Sequence, residues 1–138
     1  MTAARRGQCL CGAVTLTAAE VETEFSACHC RTCQRWSGGI FLTTTARGVN
    51  FEGEENIRTF RASEWAERGF CKKCGTLLFY RLLKSNDHEI CIGVFDDQSD
   101  LRLASEIFMD QKPGGYALAG DHPRLTDAET LEKYKVFA

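Results

Sequence analysis

Long runs of one residue class are absent from this chain of 138 residues. The sequence contains no low-complexity tract, internal repeat or charge run, and its acidic and basic residues are interspersed at a net charge of −2. Because no basic stripe is present to attract nucleic acid or anionic lipid, we expect no partner of either kind. No apolar stretch is long enough for a signal peptide or a membrane span, which predicts a cytoplasmic protein.

The composition is that of an ordinary globular protein, with 43% apolar and 26% charged residues. The length, and the absence of any composition shift that would mark a linker, predict a single domain over residues 1–138. A secreted disulfide scaffold is disfavoured because no secretion signal is found and the cysteines cluster at two- and three-residue steps. The sequence pattern leaves the oligomeric state unspecified.

Short alternating or β-branched runs separated by glycines predict a mostly-β fold of several short antiparallel strands. The predicted strands span residues 13–17, 40–44, 57–61, 65–70, 76–82 and 89–94.

Helical signals are few. A single turn is predicted over residues 33–36, and residues 112–116 and 120–123 have the composition of loops. Near the end of the chain, Thr126 can cap a helix because Glu129 stands three residues later. The sequence therefore predicts a short C-terminal helix whose apolar residues are Leu131, Tyr134 and Val136.

Seven of the eight cysteines fall into three tight clusters, which are Cys9 with Cys11, then Cys28, Cys30 and Cys33, then Cys71 with Cys74. In a cytosolic chain such clustering is typical of metal binding. Four thiolates close a tetrahedral zinc site, whereas three leave one position open for water or substrate. Seven thiols divided into four and three therefore predict one structural ion and one functional ion, with zinc favoured over iron.

Two cysteine pairs are suited to share the closed site. Cys9 and Cys11 would point to the same face of an extended strand and so reach one ion together. Cys71 and Cys74, followed by Gly75, have the form of a zinc knuckle, in which the glycine permits the tight turn. Joining the two pairs would pin an early strand to a mid-chain turn, which is the task of a structural metal.

The remaining cluster can occupy three corners of a tetrahedron unaided. An extended segment carries Cys28 and Cys30, and a turn brings in Cys33. A second partition also fits the spacing: Cys30 and Cys33 would join the Cys71–Cys74 pair in a ribbon-like closed site, leaving the first pair unassigned.

Charged residues flank both predicted sites. Lys72 and Lys73 lie within the knuckle and can offset four thiolates, which with Zn²⁺ carry a formal charge of about −2. Arg31 and Arg35 flank the triplet and can offset its charge or meet an anionic ligand. The alternative interpretation of all four is solvated surface charge.

Other candidate residues are assigned simpler roles. His29 lies between two ligand cysteines and is expected to point away from the metal, as a packing or supporting residue. Cys91 stands alone in an apolar strand and is expected to be a small buried hydrophobe. His88 and His122 each neighbour an aspartate in a polar segment, which predicts surface positions.

An open three-thiolate zinc would accept a fourth sulfur, because an incoming thiol loses its proton on the metal and is held as a thiolate at neutral pH. This chemistry favours adding a thiol to a small electrophile such as an aldehyde, or cleaving the resulting C–S bond. The sequence shows no catalytic triad, phosphate-binding loop or paired carboxylates, and no general base is identified beside the triplet.

Three segments carry a family resemblance: 7–14 (GQCLCGAV), 27–38 (ACHCRTCQRWSG) and 70–76 (FCKKCGT). In this combination the chain, over about residues 7–93, resembles the glutathione-dependent formaldehyde-activating enzyme (Gfa-like) family, which includes the centromere protein V/Gfa domain. The resemblance implies a β-tent (Mss4-like) fold tied together by a zinc.

The resemblance also implies a role for each cluster. Cys9, Cys11, Cys71 and Cys74 would hold the structural ion, and Cys28, Cys30 and Cys33 the catalytic one, giving two zinc ions per chain. The implied activity is that of an S-(hydroxymethyl)glutathione synthase, a carbon–sulfur lyase that joins glutathione, or a similar small thiol, to formaldehyde. Two alternatives remain open: a non-catalytic zinc-stabilised binding module, and a redox sensor that releases zinc when its thiols are oxidised.

Overall fold

The computed structural model describes residues 2–134, and within them the chain forms nine β-strands and two short α-helices. The prediction of a mostly-β fold is confirmed. The strands are β1 (Thr2–Gln8), β2 (Thr15–Glu22), β3 (Glu24–Cys28), β4 (Phe41–Glu52), β5 (Ile57–Phe60), β6 (Ala66–Cys71), β7 (Leu77–Leu82), β8 (His88–Cys91) and β9 (Arg102–Ile107).

The strands join in one sheet whose main path runs β1-β2-β4-β8-β7-β6-β5, with every neighbouring pair antiparallel. The twelve-residue strand β4 is the branch point. Its second half pairs with β2, whereas its first half pairs with β8 and with β3. Strand β9 pairs in parallel with β3, so the sheet divides at β4 and encloses space between its branches.

The apolar core lies between the strands of the main path. Leu16, Leu78 and Ile90 are fully buried there, and Phe79 and Phe95 pack with them. Two cysteines of the predicted closed site, Cys9 and Cys71, belong to the same buried cluster. The core and this cysteine site are therefore continuous.

The predicted strands correspond to β2, β4, β5, β6, β7 and β8, with shifts at their ends. The last predicted strand is too long, because β8 ends at Cys91 and a 3₁₀ turn follows over Ile92–Val94. Strands β1, β3 and β9 were not predicted. Strand β1 lies at the edge of the sheet and is mostly exposed, so its sequence shows no apolar alternation.

The helices are α1 (Arg31–Ser37) and α2 (Asp127–Lys133). The predicted C-terminal helix is confirmed, including its capping box: Thr126 Oγ1 accepts from the Glu129 N–H, and the Glu129 carboxylate accepts from the Thr126 N–H. Val136 lies outside the described residues. Helix α1 is longer than the predicted single turn. Neither helix, nor any other within residues 2–134, is long and apolar enough to cross a membrane.

Candidate metal centres and the adjoining cavity

Four cysteines from two hairpin turns converge at one edge of the core. Cys9 and Cys11 lie in the turn between β1 and β2, whereas Cys71 and Cys74 begin and end the turn between β6 and β7. Their sulfur atoms all lie within 4.8 Å of one another. The Cys9–Cys11 and Cys11–Cys71 sulfur separations are 3.7 Å and 3.8 Å. A tetrahedral zinc with Zn–S bonds of about 2.3 Å requires an S···S edge of about 3.8 Å, so these thiols fit the ion.

The two turns are built alike. Gly12 N–H donates to the Cys9 carbonyl at 3.2 Å, and Gly75 N–H donates to the Cys71 carbonyl at 2.7 Å. Both glycines have φ +79°, a left-handed conformation that favours glycine. The expectation that Cys9 and Cys11 lie on an extended strand is therefore wrong. They lie on a second knuckle, because Gly12 closes the turn directly after β1.

Polar hydrogens converge on these sulfurs. The Val14 N–H donates to Cys9 Sγ at 3.3 Å, and Cys74 Sγ lies 3.1 Å from the Thr76 hydroxyl. Hydrogen bonds from the side chain and backbone of Thr76 lower the pKa of the Cys74 thiol to about 5. The contacts with Thr76 thus favour the thiolate form of Cys74, which metal binding requires.

The other three cysteines form a separate cluster where β3 meets α1. Cys28 ends β3, Cys30 caps the N-terminus of α1, and Cys33 lies in its first turn. Their sulfur atoms also lie within 4.8 Å of one another. Cys30 Sγ accepts the Cys33 N–H at 3.3 Å, and hydrogen bonds with the Cys28 and Cys33 thiols lower the pKa of Cys30 to about 2. The same bonds to Cys30 and Cys33 raise the pKa of Cys28.

The thiols thus group as four and three, and each cluster can hold a metal ion. The ribbon-like alternative does not form, since Cys71 and Cys74 lie with Cys9 and Cys11 rather than with Cys30 and Cys33. The grouping depends on which hairpins the sheet brings together.

The three-cysteine cluster opens onto a cavity of about 650 Å³ between the branches of the sheet. All three cysteines line this cavity, whereas none of the four-cysteine cluster does. Strands β3, β4, β6, β7, β8 and β9 contribute to its wall, and helix α2 contributes Leu131 and Lys133. The three-cysteine cluster therefore has space beside it for a small molecule.

A row of four side chains crosses the cavity floor, one from each of four adjacent strands. The pairs are Arg68 opposite Tyr80, Tyr80 opposite Glu89, and Glu89 opposite Thr45. All four residues line the cavity. Since directly paired residues point to the same face of a sheet, their polar groups form one continuous surface.

Comparison with known proteins identifies the family of the chain. A sequence model of the family described as "Glutathione-dependent formaldehyde-activating enzyme" matches residues 4–111. The chain is also 30% identical to a Schizosaccharomyces pombe protein named as an uncharacterized lyase, over 91% of this chain and 93% of that one. The chain belongs to the glutathione-dependent formaldehyde-activating (GFA) family. A Rhodobacter sphaeroides protein of known crystal structure shares the fold, with a TM-score of 0.55 and 21% identity over 86% of this chain and 98% of that chain.

Beside the three-cysteine cluster, this GFA-family chain places a buried arginine that sequence reasoning missed. Arg68 is only 5% exposed, and its Nη2 donates to Cys33 Sγ at 3.6 Å. The guanidinium carbon lies 5.0 Å from the ring centre of Tyr80, 5.5 Å from that of Phe41 and 6.0 Å from that of Trp36, which are cation–π distances. The sequence signal that could have identified Arg68 is its place between Ala66 and Phe70 on one face of a predicted strand, where a basic residue is unusual.

The arginines that flank the cluster in sequence do not reach its sulfurs. Arg31 and Arg35 are exposed, and Arg31 Nη1 donates to the side-chain amide oxygen Oε1 of Gln34 at 2.6 Å. Their interpretation as surface charge fits these positions. The cation that contacts the thiols comes from β6, far along the chain.

Glu89 was also missed as a candidate. Its Oε1 accepts a hydrogen bond from the Thr45 hydroxyl at 2.8 Å, and burial raises the pKa of its carboxyl to about 7. The neighbouring Tyr80 hydroxyl accepts from Trp65 Nε1 at 2.9 Å. Burial raises the pKa of Tyr80 to about 12, so it stays protonated at neutral pH. The cavity thus holds a carboxyl group that can change its protonation state near pH 7.

Two histidines fix the loop that carries the three-cysteine cluster. His29 Nε2 lies 2.7 Å from Glu106 Oε1, and His122 Nε2 lies 2.6 Å from Glu106 Oε2. Arg124 Nε donates to the same Oε2 at 2.9 Å. Glu106 is fully buried on β9, so this network ties the segment between Cys28 and Cys30 to the neighbouring strand. His29 contacts this carboxylate rather than joining the thiols.

The surface positions predicted for the other histidines are wrong. The His122 side chain is only 5% exposed, because it packs onto Glu106. His88 is 8% exposed and contacts the rings of Phe51 and Phe79. The polar residues beside them in sequence concealed these buried contacts. Cys91 is partly buried on β8, belongs to neither cluster, and has a pKa raised by burial to about 12.

Proposed function

We propose that this protein is a zinc-dependent carbon–sulfur lyase that joins a small thiol such as glutathione to an aldehyde such as formaldehyde, or cleaves the adduct. The observation that carries the proposal is the three-cysteine cluster in the wall of the 650 Å³ cavity. A cluster with three sulfurs and space beside it can accept a ligand, whereas four sulfurs complete a tetrahedron. The description of the family and the lyase name of the S. pombe relative support the same reaction class.

The two clusters receive different roles in this proposal. Cys9, Cys11, Cys71 and Cys74 hold a structural zinc that ties the two hairpin turns together. Cys28, Cys30 and Cys33 hold the catalytic zinc. When bound at the triplet, the ion would supply a position where an incoming thiol is held as a nucleophilic thiolate at neutral pH.

The protein's own residues prepare the cavity for this chemistry. Arg68 brings a positive charge to the thiol cluster, which favours one more anionic sulfur there. Phe41, Trp65 and Tyr80 line the cavity with aromatic surface, beside which charges interact more strongly than they do in bulk water. Holding the thiol and the aldehyde in one cavity makes their encounter local.

A cavity beside the metal site favours an enzyme over a purely structural zinc module, which has no need of an internal space for a small molecule. Glutathione is the proposed thiol partner, and the cytoplasm is the proposed compartment because its reducing conditions maintain free thiols. No role for nucleic acid or membrane enters this proposal.

Metal counting and thiol binding test the proposal. Wild-type protein is expected to bind two zinc ions per chain by elemental analysis and to bind glutathione by calorimetry. Cys30→Ser should remain folded, lose one ion and lose glutathione binding. Cys91→Ser is the matched control, since Cys91 lies outside both clusters, and it should retain both ions and the wild-type affinity.

Two results would contradict the proposal: a single zinc ion per wild-type chain, or unchanged glutathione binding and turnover in Cys30→Ser. A crystal soaked with glutathione gives the direct view. The ligand sulfur is expected against Cys28, Cys30 and Cys33.

A further inference from the structure

We propose that Glu89 is the catalytic acid–base residue of this cavity, exchanging a proton with the oxygen of the thiol–aldehyde adduct while the Tyr80 hydroxyl donates a hydrogen bond to that oxygen. This inference rests on the proposed function and names the residues that carry out its proton transfer.

Glu89 lies in the wall of the cavity beside the three-cysteine cluster. It lies on β8 in the cross-strand row that starts at Arg68, and Arg68 contacts Cys33 of the thiol cluster. Glu89 and the three cysteines line the same space. The Thr45 hydroxyl holds one carboxyl oxygen at 2.8 Å, which fixes the orientation of the group. An adduct whose sulfur lies at the cysteines would therefore share the cavity with this carboxyl group.

The surroundings of Glu89 suit proton exchange near neutral pH. Burial is the main reason that the pKa of Glu89 rises to about 7, and the charge of Asp87 adds to the rise. The hydrogen bond from Thr45 and the charge of Arg47 oppose it. A general acid–base group is most effective when its pKa lies near the working pH. The titratable and charged groups around it are Arg47 from β4, Tyr80 from β7, Asp87 and Cys91 from its own segment, and Arg68 one strand further along the row.

Tyr80 has a hydroxyl hydrogen available for the substrate. The indole Nε1–H of Trp65 can only donate, so in the 2.9 Å bond between them the Tyr80 oxygen is the acceptor. The Tyr80 O–H is then free to donate toward the cavity that the residue lines. Its pKa of about 12 keeps it a donor throughout the physiological range.

The proposed condensation conserves protons and electrons without any further reactant. In condensation, the S–H bond of the thiol breaks and its proton passes to the Glu89 carboxylate. The sulfur electron pair forms the C–S bond, and the π pair of the aldehyde C=O moves to oxygen. That oxygen takes the proton from Glu89, which ends as ionised as it began. Cleavage of the adduct follows the same steps in reverse, with Glu89 first acting as base.

The test compares zinc-loaded wild-type protein with Glu89→Gln, which keeps the shape of the side chain and cannot exchange the proton. Exchange between glutathione, formaldehyde and their adduct is followed by NMR from pH 5 to pH 9. We expect kcat to fall about 100-fold or more in Glu89→Gln, with zinc content unchanged and glutathione affinity within about twofold. Glu20→Gln, an exposed carboxylate on β2, is the control and should match the wild type.

A second measurement does not depend on turnover. The carboxyl carbon of Glu89, assigned by its absence in Glu89→Gln, is expected to titrate with a midpoint near pH 7. Thr45→Val removes a hydrogen bond that lowers the pKa, so it should move this midpoint, and the matching inflection in the rate profile, to higher pH. A Glu89 midpoint near the ordinary glutamate value, about 4.3, would overturn the inference.

The outcomes separate the two proposals. If the wild type accelerates exchange and Glu89→Gln retains its kcat and pH profile, the role of Glu89 is refuted while the lyase function stands. If the wild type neither binds glutathione nor accelerates exchange, the proposed function itself fails, and the role of Glu89 fails with it.

Discussion

Arg68 Nη2 donates to Cys33 Sγ at 3.6 Å, which places a buried cation against a cluster of three thiols. Three aromatic rings surround the guanidinium, and among the described residues no carboxylate forms an ion pair with it. A charge so far from water requires a compensating partner. Three thiolates on a divalent ion, as proposed for this cluster, would carry a formal charge of about −1 and would supply that partner.

Replacing Arg68 should therefore weaken binding of an additional thiolate. Arg68→Met keeps much of the apolar contact but removes the charge, and we expect glutathione affinity to fall about tenfold, or about 1.4 kcal/mol. The loss should be fully present at pH 8.5, where the bound thiol is a thiolate, and should shrink at lower pH as the bound thiol becomes protonated, because the cation stabilises only the anionic sulfur. Calorimetric titrations at pH 6.5 and pH 8.5 measure both effects.

Two controls accompany that experiment. Arg58→Met removes an exposed arginine from β5 and should bind glutathione like the wild type. Arg68→Lys keeps a cation and should recover part of the affinity. If Arg68→Met binds glutathione as tightly as the wild type at both pH values, Arg68 is not the counter-ion of the cluster.

Loss of a cysteine from the four-thiol cluster should threaten the fold, unlike loss of one from the triplet. Cys71 is fully buried, belongs to the apolar core and connects β6 to the turn after β1 through Cys11. A structural zinc contributes on the order of 10 kcal/mol to folding. Cys71→Ser should therefore bind at most one zinc and be largely unfolded by circular dichroism, and a strong chelator should produce the same effect in the wild type. A cooperative thermal transition at the wild-type temperature in Cys71→Ser would contradict the structural role.

Because of Glu106, the free energy of unfolding should depend on pH in the acidic range. Although burial opposes it, hydrogen bonds from His122 and His29 hold the pKa of Glu106 below its usual value. A carboxyl group with a lowered folded pKa stabilises the protein above its unfolded pKa, about 4.3. This contribution is lost as pH falls below that value toward the folded pKa. Glu106→Gln should lower the free energy of unfolding at pH 7 and flatten its decline between pH 5 and pH 3, as measured by urea denaturation.

The size of the loss in unfolding free energy also tests the hydrogen-bond network around Glu106. Removing one partner of a buried charged group typically costs about 3–5 kcal/mol, so Glu106→Ala should be more damaging than Glu106→Gln. Glu55→Gln, which removes an exposed carboxylate from the 3₁₀ turn Glu54–Asn56, serves as the control for a lost carboxylate. Equal stability of Glu106→Ala and the wild type at pH 7 would show that the network contributes nothing.

Features that depend on near neighbours in the chain could be predicted. The Cys71–Cys74 knuckle and the Thr126–Glu129 capping box are local patterns in which spacing alone sets which atoms can meet, and both are present as predicted. The strands of the main path could also be predicted, since their apolar residues are buried on the sheet. Strand β9 could not, because it is held by parallel pairing with β3, whose residues lie about 78 positions earlier in the chain.

The amino-acid sequence by itself determined the mostly-β class and a set of thiols suited to metal, because periodicity and short spacings carry that information, and it indicated the family through the resemblance of its three cysteine segments. Only the tertiary structure decided which hairpin turns meet, that Arg68 lies against Cys33, and that Glu89 and Tyr80 share the cavity with the triplet. Arg68, Tyr80 and Glu89 come from three different strands and look ordinary in the sequence. Their chemistry arises from sheet register, which aligns them across strands, and from burial, which raises the pKa values of Glu89 and Tyr80.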